Sequence, residues 1–171
     1  MVDQSSTQCS PTAERVEAFI QSALFSKTFK EGMALVEETA NYLDGDGREL
    51  SKSMGRSAAL AYAGCSMRLT TQLMQIASWL LVLRAMREGD MTAAEASDPK
   101  YRLHQRETVP GHRLENDDLP DMLVALIKRA DRLHDRIARL DTGLFTSEEQ
   151  PGPQTGAAAQ QQALLRAFGA Q

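Results

Sequence analysis

Apolar residues return along this chain at helical spacing in three separate stretches. From Phe29, the positions Met33, Val36, Ala40 and Leu43 step by 4, 3, 4 and 3. Leu69, Leu73, Ile76, Leu80 and Leu83 repeat the step. Leu119, Leu123, Leu126, Ala130, Leu133, Ile137, Leu140 and Leu144 sustain it to the end of the third stretch. Alternating steps of three and four keep side chains on one stripe of an α-helix. They are also the repeat of helices packed at a shallow left-handed angle. No convincing strand pattern interrupts them.

The first helix is expected from Thr12, which can cap it, with Val16, Phe19, Ile20, Ala23 and Leu24 on one face. Ser26 or Gly32 can bend it and Ser22 or Ser26 can restart it, so one helix or two fits the pattern. "DGDGR", residues 44–48, ends it, because two glycines allow positive φ and Asp44 and Asp46 can satisfy nearby donors. So short a connection returns the next helix antiparallel. That helix is expected from about Leu50 to Glu88, with Leu50, Met54, Ser57 and Ala61 opening its buried face and Gly89 stopping it. Ser57, Ala58, Ala61 and Gly64 are small enough to admit a close neighbour. A rod of about 58 Å cannot bury its own stripe and needs partner helices.

Residues 89–118 carry Pro99, Pro110 and Gly111 and read as a long crossover, with a short helix near Thr92–Ser97. The third helix has Asp118 as a cap, Pro120 in its first turn and Gly143 as its stop. The expected fold is all-α: an antiparallel three-helix bundle with long helices, a long crossover before the last helix and a disordered C-terminal tail. Residues 1–11 form a flexible leader, 12–145 the bundle, and 146–171 a tail rich in Gly, Pro, Gln and Ala. The tail ends in a small apolar cluster, Leu164, Leu165 and Phe168. This cluster can dock on the bundle, fold on a partner, or belong to an inert tail.

At 171 residues, with 42 % hydrophobic and 25 % charged, the chain is long enough for one soluble domain with a real core. A net charge of -4 gives no bulk attraction to nucleic acid or anionic lipid. The apolar run around Trp79–Leu83 is far short of the roughly 20 residues of a membrane span. No secretion signal is visible, and Cys9 and Cys65 read as free thiols, so the cytoplasm is the expected compartment.

Candidate chemistry is sparse. His104, His112 and His134 lack the spacing of a metal site, and no phosphate loop or dinucleotide fingerprint is present. Counting a calcium loop from Asp44 puts Gly55 where the twelfth-position Glu belongs. The inward positions are apolar, where helical enzymes place carboxylates or ligands. The expectation is no enzyme, no catalytic residue, no metal and no cofactor.

Two features point to protein contact instead. Met67 and Met74, a heptad apart, and Trp79 lie off the core line, as the flank of a wide buried stripe, a self-association surface or a site for another partner. Arg129, Arg132, Arg136 and Arg139 form a guanidinium stripe on the last helix, with Asp131, Asp135 and Asp141 among them. It is either a solvated salt-bridged face or a strip for an acidic partner or a second subunit. Arg68, Thr70, Thr71, Gln72 and Gln75 can bond between helices.

The segments "EGMALVEETANYLDGDGR" (31–48), "SMRLTTQLMQIASWLLVLRAMREGD" (66–90), "KYRL" (100–103) and "LPDMLVALIKRADRLHDRIARLD" (119–141) together resemble the alphaproteobacterial regulator of CtrA degradation family over about residues 22–145. The resemblance implies a three-helix bundle that forms a homodimer and acts as a non-enzymatic adaptor in cell-cycle control. It would tether protein cargo, or a secondary adaptor, to a ClpXP protease whose ClpX is primed by a receiver-domain protein. The protein would then be cytoplasmic, with recruitment to a cell pole as a further option. The candidate interaction residues would be Met67, Met74, Trp79, the four arginines and Leu164, Leu165 and Phe168. The alternative is a structural or regulatory helical homodimer, such as a transcriptional regulator, without protease delivery. No helix-turn-helix supports binding to DNA.

Overall fold

The computed structural model describes residues 11–103 and 119–145. The helices are α1 (Pro11–Ile20), α2 (Ala23–Asp44), α3 (Asp46–Ser53), α4 (Arg56–Glu88), α5 (Ala93–Ala96) and α6 (Asp121–Phe145), with a 3-10 turn at Pro99–Tyr101. Among the described residues the fold is all-α. The leader up to residue 10, the second half of the crossover with His104 and His112, the Asp118 cap and the tail lie outside them.

Helix ends follow local hydrogen bonding. α1 opens on Pro11, whose missing N–H is harmless there, so the expected cap Thr12 sits inside the helix instead. Ser22 is the restart between α1 and α2. Its extended backbone breaks the helix, its hydroxyl donates to the Phe19 carbonyl at 2.6 Å, and its oxygen accepts from the Phe25 N–H at 3.1 Å.

The second long helix begins later than expected. Residues 46–53 form α3, in which the Ser51 and Ser53 hydroxyls donate to the carbonyls of Arg48 and Leu50, and Met54 and Gly55 are extended. Such local side-chain bonds compete with helix continuation. As a result Leu50 and Ser57 are exposed rather than buried. Gly45 and Gly47 do not use positive φ; among the described residues only Gly89 does, at +84°, where it stops α4. Gly47 is small for want of space, because a Cβ there would overlap the Tyr62 hydroxyl and lie 2.9 Å from the Tyr42 carbonyl. The last helix passes through Gly143 and ends at Phe145, which puts Leu144 on the helix and buried.

Paired side chains give the helix directions. Ser26 meets Arg87 and Gly32 meets Leu80, so α2 runs against α4. Glu31 pairs with Arg136 and Glu38 with Arg129, so α2 also runs against α6. Gln72 meets Asp131 and Trp79 meets Asp141, so α4 and α6 run in the same direction. The antiparallel relation therefore holds for α2 against each partner and not between α4 and α6. A parallel return demands a long connection, since α6 starts at the opposite end from where α4 stops.

The stripes of α4 and α6 meet in one core, whereas α2 turns a line one position earlier toward it (Phe25, Thr28, Gly32, Leu35, Thr39 and Tyr42), which leaves the expected Phe29, Met33, Val36 and Leu43 half-buried and Ala40 exposed. Phe25 and Leu35 of α2, Leu69, Ile76, Leu80 and Leu83 of α4, and Leu123, Leu126, Leu133 and Ile137 of α6 are all fully buried. The close approach of helices occurs at Gly32, where a Cβ would stand 2.5 Å from Leu80 Cδ1; Gly64, expected to serve this purpose, faces open space. α1 packs over the end holding Trp79, with the Phe19 ring 6.5 Å from the indole and 5.8 Å from Phe25.

Candidate functional site

α4 is apolar on two opposite sides. One carries the core residues. The other carries Leu60, Met67, Met74 and Leu81, which are 76 %, 72 %, 65 % and 50 % exposed. Their uniform step of seven holds them on one line, roughly half a turn of the helix from Leu69, Ile76 and Leu83. Ala63, Gly64, Thr70, Thr71 and Ser78 flank the line, and all five are exposed. The Thr70 and Thr71 hydroxyls donate to the carbonyls of Ser66 and Met67 in their own helix, so this face offers little polar bonding outward. An exposed line of large apolar side chains on a water-facing helix, with Arg68 and Arg84 at its edges, marks a contact surface.

The line is also symmetric. Read in either direction it is Leu, Met, Met, Leu, centred between Thr70 and Thr71. An antiparallel pairing of two α4 helices would set Leu60 against Leu81 and Met67 against Met74, with the small residues admitting close approach. That self-complementarity is what an isologous two-fold interface requires.

Trp79 is not on this surface. It is 2 % exposed, and its indole N–H donates to Asp141 Oδ1 at 2.8 Å. Asp141 is buried too and accepts from Arg102 Nε and Nη2, both at 2.9 Å, while Arg102 also donates to the Asp141 carbonyl at 3.1 Å and lies 4.6 Å from the Phe145 ring centroid. This cluster ties the start of the crossover to α4 and α6. Trp79 is therefore the flank of a wide buried stripe.

The arginine stripe divides in two. Arg129 bonds Glu38 at 2.7 Å and Arg136 bonds Glu31 at 2.5 Å, so these two face α2. The Glu38 hydrogen bond pushes the Arg129 pKa up, and burial opposes it. Arg132 and Arg139 point away from the α2 acids, Arg132 exposed and Arg139 exposed beside it. Of the polar residues on α4, Gln72 bonds across to Asp131 at 3.2 Å. Leu164, Leu165 and Phe168 lie outside the described residues.

Groups that could perform chemistry are buried or scattered. Burial pushes the Cys65 thiol up, against a smaller opposing effect of Arg68. His134 is 3 % exposed. No group of three or more metal-binding side chains occurs among the described residues, and no helix there is long and apolar enough to cross a membrane. Leu60, Leu81, Arg102 and Asp141 are site residues that periodicity alone overlooks. The uniform heptad from Leu60 to Leu81 is nonetheless visible once a second stripe on α4 is sought.

Residues 16–168 match the family described as protein of unknown function (DUF1465). No curated protein matches the chain. Among solved structures, the crystal structure of RcdA from Caulobacter crescentus is similar to it, with 48 % sequence identity and a TM-score of 0.62, covering 75 % of this chain and 97 % of that one.

Proposed function

Since the chain belongs to the DUF1465 family and is RcdA-like, we propose that it is a non-enzymatic adaptor for regulated proteolysis in cell-cycle control. The likeness to RcdA, spanning nearly all of that chain, carries this reading. The helices share one core, and binding two proteins at once raises the effective concentration of one at the other. The partners are a ClpX unfoldase primed by a receiver-domain protein, and protein cargo or a further adaptor. The bundle of residues 12–145 supplies folded surfaces. Residues 146–171, with Leu164, Leu165 and Phe168, supply a further contact. The protein acts in the cytoplasm, with recruitment to a cell pole.

The homodimer forms through the α4 line, with Met67 of one subunit against Met74 of the other. Exposed Arg132 and Arg139 serve the partner rather than the bundle. The test is a degradation assay with purified ClpXP, the primer and cargo. Adding this chain should accelerate cargo loss, and only when the primer is present. Equal cargo loss with and without the chain would favour a helical dimer with a structural or regulatory role.

A further inference from the structure

At the end of the bundle where α2 begins and α4 stops, a groove of about 400 Å³ opens between them. Its floor is the half-buried ring of Phe29, and Ser26, Lys30, Arg84, Arg87 and Glu88 form its walls. Arg84 is already engaged: its guanidinium carbon lies 5.5 Å from the Phe29 ring centroid, and its Nε donates to Glu88 at 2.8 Å. Arg87 donates to the neutral Ser26 hydroxyl at 3.3 Å. Among the described residues, no carboxylate within salt-bridge distance answers Arg87 or Lys30.

Three cations and one acid thus converge on an aromatic floor, in a chain whose net charge is -4. The helix dipole explains Arg84 and Arg87, which sit near the C-terminus of α4. It does not explain Lys30, which lies two turns inside α2, beyond the reach of either helix end. Two uncompensated cations suit a few carboxylates. A nucleic acid gains its affinity from many phosphates and would meet a negative protein overall.

We propose that this groove docks a short acidic segment of a partner protein, whose carboxylates bond Arg87 and Lys30 while an aromatic or aliphatic side chain lies on Phe29. The groove is separate from the midpoint of the α4 line, and the inference does not rest on the adaptor reading. Arg84, fixed by Phe29 and Glu88, shapes the wall that orients the segment.

The test is fluorescence anisotropy of the full chain with a labelled peptide Asp-Glu-Asp-Phe-Asp-Glu. Binding should weaken as salt rises, vanish when lysines replace the acids, and weaken severalfold when alanine replaces the phenylalanine. The double variant Lys30→Glu/Arg87→Glu should bind at least tenfold more weakly, and Lys52→Glu, on the exposed face of α3 and outside the groove, should bind as the parent does. Lys30→Gln/Arg87→Gln gives the same reading if the charge reversal disturbs folding. No binding by the parent chain, or equal binding by the double variants, would overturn the proposal. Binding to phosphatidylglycerol vesicles, or self-association, that the same variants abolish while peptide binding persists would assign the groove to lipid or to a second copy and overturn it equally.

Discussion

His134 sits on α6 with both ring nitrogens buried and no hydrogen-bond partner among the described residues; the nearest acid, Asp135, stands 4.0 Å away. A buried polar group left unbonded costs about 1–3 kcal/mol. Replacing it with an apolar side chain of similar size, His134→Leu, is expected to raise stability by about 1–2 kcal/mol in urea unfolding. A loss of stability would show that the imidazole has a partner. Asp141 is the opposite case, since Trp79 and Arg102 both bond it. Asp141→Ala leaves a buried indole N–H and a partly buried guanidinium unpaired, and should cost about 3–5 kcal/mol. A cost below about 1 kcal/mol in the same assay would show the cluster to be dispensable.

Among the elements, α4 and α6 show what the residue pattern can and cannot convey. The core stripes of both were legible because their side chains meet other helices of the same chain, and Leu69 to Leu83 and Leu119 to Ile137 are buried as their spacing demands. The break at Met54 and Gly55 was not, because it depends on α3 folding back beneath Tyr42 and Tyr62. Trp79 could be read three ways until Asp141, 62 residues away, supplied an acceptor for its N–H. The short helix α5 lies within the stretch expected near Thr92–Ser97, and a capping pair holds its start. Thr92 N–H and hydroxyl both donate to Glu95, with the backbone bond the larger cause of a carboxyl held below its ordinary range. A depressed acid contributes its stability above the unfolded pKa and loses it as pH falls through the folded one. Amide exchange at Ala96, whose N–H bonds the Thr92 carbonyl, should therefore lose protection relative to the core below the ordinary glutamate range. Protection unchanged there, with the bundle still folded, would remove the carboxylate from the account of α5.

For the whole molecule, the symmetry of the α4 line ties surface to assembly. In an antiparallel pair, Met67→Glu/Met74→Glu sets carboxylates of the two subunits against each other along an otherwise apolar line. Glu is nearly as good a helix former as Met, so helicity should hold. The dimer should weaken by on the order of 100-fold, or about 2.7 kcal/mol, in sedimentation equilibrium. An unchanged association constant would move the dimer surface elsewhere. The adaptor role draws on the likeness to RcdA. The measurement that tests it most directly is retention of the full chain on immobilised ClpX, with and without the receiver-domain primer, while reading co-retained cargo. The account predicts retention that requires the primer and brings cargo with it. No retention, with each component shown to be active, would contradict it.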